Sequence, residues 1–457
     1  MTRRRFVALV SASVILAAVL AVAAAVLTVT QTDFGRERIR RLVRAQLSTG
    51  LQGKAHVYVG RLSGSMFTGL SVDSFSMYDD EDSLVIATGP VRVTFDPRDL
   101  IDERLRFHTV DITRPSINLR RHADDVWNYH RIFKPGPKAV REAVRRARSF
   151  GDYITADSVL LHEGTFLLTE SWQPDDSLKG ARRDSAVRAA MARPWPEVRM
   201  TKEGPKRTRR WTKLRIDAPW VRIADPDSVG QRIRLAELSA VENDPPTELR
   251  QLRGDVRIHG DTVWGALSHF ALPASAGTAT VHVWWGDGKP ARVDVHAIGD
   301  SVSLSDFAWV YPNLPRTGGG RTEVFVHNDA KNLAAMDFAL KDMDLRTTKS
   351  RLRGAMTFST GWPVLVLKDV DVRLEPADFD LIRAFSGGYS AVDFQGRFTG
   401  RVNAAGGRID RWKVDSADLT YSDYHVPGAV SHLTARGELD LIAPSEAKFH
   451  GFDVRLS

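Results

Sequence analysis

The sequence predicts an all-β body carried behind an N-terminal transmembrane helix. Three observations predict it: an uncharged apolar run from Phe6 to Val29, a period-two alternation of apolar and polar residues from Ala55 almost to the C-terminus, and a glycine-centred unit that recurs three times. A strand turns successive side chains to opposite faces, so sustained alternation marks a sheet with one greasy and one wet face. No βαβ alternation interrupts the pattern.

The apolar run holds 24 residues, with only Ser11, Ser13 and Thr28 as polar interruptions. As a helix it extends roughly 36 Å, enough for a hydrocarbon core about 30 Å thick. Arg3, Arg4 and Arg5 precede it and hold the N-terminus in the cytoplasm, sending everything after Gln31 across the membrane. Ala21-Val22-Ala23 and Ala23-Ala24-Ala25 fit a signal-peptidase site, but the run outlasts the usual signal core of about 7–15 residues, which favours an uncleaved anchor. Residues 1–31 are read as cytoplasmic tip and anchor, with the remainder in the periplasm. Residues 32–52 follow as a juxtamembrane amphipathic helix. Asp33 is its N-cap, Phe34, Ile39, Leu42, Val43 and Leu47 form the apolar stripe, and Arg36, Arg38, Arg40, Arg41 and Arg44 fill the other face. That helix either caps the first sheet or lies on lipid with Arg36, Arg40 and Arg44 against anionic headgroups.

The chain has 457 residues, no cysteine and a net charge of +8. The missing cysteine excludes disulfides, thiolate zinc sites and thiol nucleophiles. The charge is concentrated. Twelve Lys/Arg face three acidic residues between Lys179 and Lys213, so this one segment carries +9. With Pro194, Pro196 and Pro205 it reads as a mobile excursion, either simply solvated or touching headgroups through Arg207, Arg209 and Arg210. Nucleic acid is not expected, because no recognition module is visible.

Residues 53–134 read as a first β-unit, residues 135–213 as a β-unit interrupted by the basic helix candidate Pro135–Phe150 and the basic segment, and residues 214–457 as repeating β-units. Val57 and Val59, then Val91, Val93 and Phe95, then Val110 and Ile112 alternate with polar residues. Leu252-Arg253-Gly254, Leu352-Arg353-Gly354 and Ala435-Arg436-Gly437 each precede two alternating apolar residues, and each glycine is read as opening the return strand of a meander. Ser305-Asp306-Phe307 and Ala377-Asp378-Phe379 look like short helical crossovers. Repeats of this kind argue for an elongated stack of antiparallel strands, each unit buried on its neighbours. In the strand from Val364 to Leu374, the residues Val364, Val366, Val370, Val372 and Leu374 share one face, interrupted by Lys368. Val256 and Ile258, Val281 and Val283, Val293 and Val295, and Val324 and Val326 follow the same rule. These faces either meet a second sheet in a sandwich or line an open groove.

Catalytic signatures are missing: no phosphate loop, no nucleophile elbow and no zinc-protease helix occurs. His122 beside Asp124 and Asp125 reads as an exposed turn rather than a metal site, and Trp284-Trp285-Gly286-Asp287-Gly288 as a hairpin turn. A non-enzymatic protein without cofactor or metal is expected.

Several motifs, taken in order, carry a resemblance. They are Thr32-Asp33-Phe34-Gly35 after the anchor, Val57-Tyr58-Val59-Gly60-Arg61-Leu62-Ser63-Gly64, Val91-Arg92-Val93-Thr94-Phe95-Asp96-Pro97-Arg98-Asp99-Leu100, and Arg114-Pro115-Ser116-Ile117-Asn118-Leu119 leading to Trp127-Asn128. The chain thereby resembles the AsmA-like superfamily, and within it the N-terminal part of the TamB family, the translocation and assembly module subunits. The first 135 residues carry most of the likeness, and Val126 stands where members usually have glycine. The resemblance implies a taco-like β-groove anchored in the inner membrane, which shields phospholipid acyl chains on their way to the outer membrane. It also implies a longer protein, whose distal part meets an outer-membrane β-barrel partner. A structural scaffold for assembly of outer-membrane barrels, offering a sheet edge for strand addition, is the competing expectation.

Overall fold

A computed structural model describes residues 55–457, except 66–68, 97, 100–103, 123, 125, 133–152, 175–177, 193–196, 226–227, 245, 285–291, 310–313, 330–334, 361–365, 382–394, 409–410 and 443–445. The anchor, the 32–52 helix with Arg36, Arg40 and Arg44, the Pro135–Phe150 candidate and Val364 all lie outside the described residues. Among the described residues no helix is long and apolar enough to cross a membrane. The chain is mostly β and divides into two compact units, one ending at Gly260 and one beginning at Asp261.

The N-terminal unit opens with eight short strands, β1 (His56–Val59), β2 (Leu62–Ser65), β3 (Gly69–Val72), β4 (Phe75–Tyr78), β5 (Leu84–Thr88), β6 (Val91–Phe95), β7 (Leu105–Thr113) and β8 (Ser116–Arg120). After helix α1 (Asn128–Ile132) come β9 (Ile154–Ala156) and the long β10 (Val159–Ser171). Two antiparallel runs, β1–β4–β5–β8 and β2–β3–β6–β7, both end on β10. That strand runs parallel to β7 through Val159–His162 and parallel to β8 through Thr165–Thr169. Between these stretches lie Glu163, whose φ is 56°, and Gly164, so one strand serves both runs across a bulge. The parallel pairings depart from the wholly antiparallel stack that alternation suggested. Their cause is the long connection from β8 back to β9 and β10, since parallel neighbours need a crossover of a dozen or more residues.

Alternation here produces a closed core. Val93 pairs with Leu70 and Val110, and Phe95 with Phe107, and Phe107 and Val110 are fully buried. Val91 and Phe95 are buried with them, and Val93 retains 3% exposure. A second cluster joins Val57, Val59, Phe75, Met77 and Val85 to Ile132 of α1. Burial of this completeness contributes about 1.5–3 kcal/mol per large apolar side chain.

The basic segment is not a mobile excursion in its described residues. It forms helix α2 (Ala181–Met191), β11 (Val198–Thr201) and β12 (Gly204–Ala218), and β12 pairs with β10 along its length. Beyond it, β13 (Trp220–Ala224), β14 (Gln231–Asn243) and β15 (Pro246–His259) complete the unit, with β14 antiparallel to both β12 and β15.

The C-terminal unit is a meander of eleven antiparallel strands: β16 (Thr262–Ala271), β17 (Ala276–Trp284), β18 (Arg292–Ser303), β19 (Gly319–Asn328), β20 (Met336–Arg346), β21 (Arg351–Thr360), β22 (Val366–Asp378), β23 (Gly396–Arg408), β24 (Arg411–Asp423), β25 (Val430–Ile442) and β26 (Glu446–Leu456). The pairing of Trp284 with Arg292 fits the expected hairpin there. Of the two expected crossovers, one is a 3-10 turn at Leu304–Phe307, and residues 379–381 are helical at the other.

The recurring glycines do not open strands. Gly254, Gly354 and Gly437 lie inside β15, β21 and β25, beside a point where the preceding strand carries an extra residue. Gly277, Gly320 and Gly400 occupy the same position in β17, β19 and β23. Throughout the C-terminal unit the extra residue falls on an even-numbered strand. An extra residue bends its strand, so these positions form a crease that is offset at β22, where they fall at Lys368 against β21 and at Glu375-Pro376 against β23. At Gly354 the φ is 131°, and a Cβ would lie 2.1 Å from the Asp371 carbonyl oxygen on the next strand. Only glycine fits there without moving backbone.

Candidate functional site

Strand pairing in the C-terminal unit converts alternation into rows that cross the sheet. One row runs Val281, Val295, Val326, Phe338, Phe358, Leu367, each paired with the next. Another runs Leu267, Ala279, Ala297, Val324, Leu340, Met356, Val370, Ala404, Val414, Gly437. Beyond the crease a third runs Leu345, Leu352, Leu374, Gly400, Leu419, Leu433, Leu456. At about 4.8 Å between strands, the second row extends roughly 43 Å without a polar side chain.

The opposite face is ionic. Directly beside the third row run Arg321, Asp344, Arg353, Arg373, Arg401, Asp418, Thr434 and Arg455. Arg351 donates two hydrogen bonds to Asp344, 2.9 and 2.7 Å, and Arg401 donates two to Asp371, 2.7 and 2.6 Å. The hydrogen bond from Arg351, with help from Arg346 and Arg353, holds the Asp344 carboxyl well below the usual carboxylate range. Wet and greasy faces are thus separated strand by strand.

Of the sequence-derived candidates, Val281, Val283, Val293, Val295, Val324, Val326, Val370, Val372 and Leu374 share the apolar face. Val256 and Ile258 are buried in β15 of the other unit, where Val91, Val93 and Phe95 also lie. Val366 is a correction. Lys368 is the extra residue of a bulge against β21, which reverses the alternation, so Leu367 joins Val370, Val372 and Leu374 in one cluster while Val366 pairs with Ser359 on the other side. The bulge lets the Lys368 ammonium reach Asp329 and Asp337, the latter at 2.6 Å. Burial acts to lower its pKa, and the two carboxylates outweigh that and raise it.

Alternation missed Leu367, Phe338 and Leu340, which join Met356 and Phe358, already read as alternating, in the rows. Their signal was a change of parity, as between Phe338 and Leu340 before the bulge and Met343 and Leu345 after it. Exposure along the face is uneven: Val295, Val324, Val326, Phe338 and Met356 are half-buried, whereas Leu456 on β26 is 70% exposed.

The headgroup candidates on β12 have internal roles. Arg207 makes a bidentate pair with the fully buried Asp244, and Arg210 donates to Glu197 at 3.2 Å. Arg209 is half-buried between them in sequence. Lys206 is buried and donates to the Arg121 carbonyl at 3.0 Å and to Ser171 Oγ at 3.2 Å. His122 is a second correction, because it is 2% exposed rather than a residue of an open turn. Comparisons with protein-family models, curated proteins and solved structures found no match.

Proposed function

We propose that the apolar face of the C-terminal unit binds phospholipid acyl chains and lets them move across its strands, in a protein anchored by Phe6–Val29 in the inner membrane with its body in the periplasm. The observation that carries this reading is the in-register continuity of the apolar rows. Removing a methylene from water is worth about 0.8 kcal/mol, so an acyl chain gains from any position along such a face. The rows contain no hydrogen-bonding side chain to fix a ligand in one register, which suits passage better than tight capture. The resemblance to the AsmA-like superfamily points the same way. No cofactor or chemical step is required.

The test is native mass spectrometry with lipid extraction on the full chain purified from a diderm host. Stoichiometric phospholipid is expected, with loss of most of it in Val326→Asp and Met356→Asp variants whose circular dichroism matches the parent. A folded parent chain without lipid would refute the reading and favour the barrel-assembly scaffold instead.

A further inference from the structure

Three separated stretches of the N-terminal unit meet at one point. The β4–β5 turn supplies Asp79 and Glu81, the segment just after β8 supplies His122, and the β11–β12 turn supplies Glu203. One ligand atom from each of Glu81, His122 and Glu203 lies within 4.8 Å of the others. His122 is buried, and neither of its ring nitrogens has a hydrogen-bond partner. Nδ1 stands 3.3 Å from Glu81 Oε1, and Nε2 stands 3.8 Å from Asp79 Oδ2. Asp79 is fully buried, and its Oδ1 accepts the backbone N–H groups of Glu81 and Ser83 at 3.0 and 2.8 Å. Its Oδ2 has no hydrogen-bond partner. Buried imidazole and carboxylate atoms left in this state are costly and ask for a missing partner.

We propose that Glu81, His122 and Glu203 bind a divalent transition-metal cation of the zinc class, with Asp79 orienting the histidine from behind. Nδ1 is the ligand atom, and Nε2–H turns to Asp79, the arrangement by which metal-bound imidazoles are commonly held. Tetrahedral donors about 2.1 Å from zinc sit about 3.4 Å apart, which the Nδ1–Glu81 separation already meets. Glu203, at a hairpin turn, closes the remaining distance by a side-chain adjustment. An imidazole with two carboxylates favours zinc or manganese over calcium and magnesium, which take oxygen donors.

Three cations already hold the two carboxylates, and their charge opposes an added cation, so binding depends on the lone pairs they leave open. Arg131 donates to Glu81 Oε1 at 3.0 Å, Arg120 to Glu203 Oε1 at 3.1 Å, and Lys206 Nζ lies 2.9 Å from Glu203 Oε2. An ionised carboxylate offers about four lone-pair sites, so these contacts position the ligands and leave room for an ion. The bound cation ties the β4–β5 turn and the segment just after β8 to the hairpin of the basic segment, as a structural clamp.

The test uses the full chain in detergent, stripped with chelator and titrated with Zn2+ by calorimetry, with stoichiometry counted by native mass spectrometry. One equivalent is expected, together with a raised melting temperature. Asp79→Asn should weaken binding about 10–100-fold. Glu203→Gln, placed at a turn where folding is least at risk, should weaken it at least about tenfold, and Co2+ loaded in place of Zn2+ should show visible ligand-field bands altered in His122→Gln. A folded parent chain that binds neither Zn2+ nor Co2+ at about 100 µM overturns the assignment. So does undiminished binding by a folded Glu203→Gln variant, which would place the ion on other histidines.

Discussion

The two units use the same alternation and finish it differently. In the N-terminal unit two runs of strands are gathered onto the long β10 by parallel pairing, and Phe107 and Val110 are sealed. Among the described residues of the C-terminal unit each strand pairs only with its sequence neighbours, and Val324, Val326 and Phe338 stay half-buried on one face. Period two therefore announces a greasy face without saying whether the protein itself covers it. The described residues show both outcomes: Ile132 of α1 packs into the first core, while in the C-terminal unit Leu367, Val370, Val372 and Leu374 are buried in one cluster and Val324, Val326 and Phe338 stay half-buried.

Substitutions can break or sharpen this contrast. The largest expected effect is Phe107→Ala, which leaves a cavity in a closed core and should cost about 3–5 kcal/mol in chemical denaturation. Val326→Ala on the open face should cost under about 1 kcal/mol. Equal losses would show that the two faces are equally closed. Next comes Lys368→Met, which removes the ammonium shared by the nearly buried Asp329 and Asp337. A loss of about 2–3 kcal/mol is expected, below that of a fully buried pair because the lysine is partly solvated. Since the folded pKa of Lys368 is raised above 10.5, its contribution is complete below pH 10.5 and fades as pH rises through the folded value. Melting curves of parent and Lys368→Met at alkaline pH should converge.

Gly354→Ala should cost about 2 kcal/mol, because a methyl group there meets backbone at a positive φ. Gly265→Ala, on the same unit but with its nearest neighbour 3.5 Å from the new carbon, should be nearly neutral. A small cost at Gly354 would mean that the crease is soft. The smallest effect belongs to Asp344 on the wet face. Its pKa is depressed from 3.8, so its stabilisation is present above that value and is lost as pH falls through the lower folded one. Asp344→Asn should lower stability by under about 1 kcal/mol at pH 7 and flatten the acid limb of the melting profile.

How much the sequence disclosed follows from the range of each signal. Alternation is local, so Val91, Val93 and Phe95 were placed in a strand correctly, and so were Val324 and Val326. A bulge is recognised only against its partner strand, so Lys368 looked like an interruption when it was the residue that switched faces. Charge counting failed for a related reason. The excess between Lys179 and Lys213 is answered partly from outside the segment, as Arg207 is by Asp244, 37 positions away. His122 looked exposed beside Asp124, while the groups that face it, Glu81 and Asp79, belong to another turn.

The placement of the extra residues of the C-terminal unit on alternate strands, several of them beside a glycine of the facing strand, has a bearing on its length. Removing a single strand would set two like edges against each other, extra residue against extra residue or glycine against glycine, and the crease would lose its register. Removing a hairpin leaves every remaining junction of the mixed kind. Such a sheet has a parity, and viable insertions or deletions come in twos.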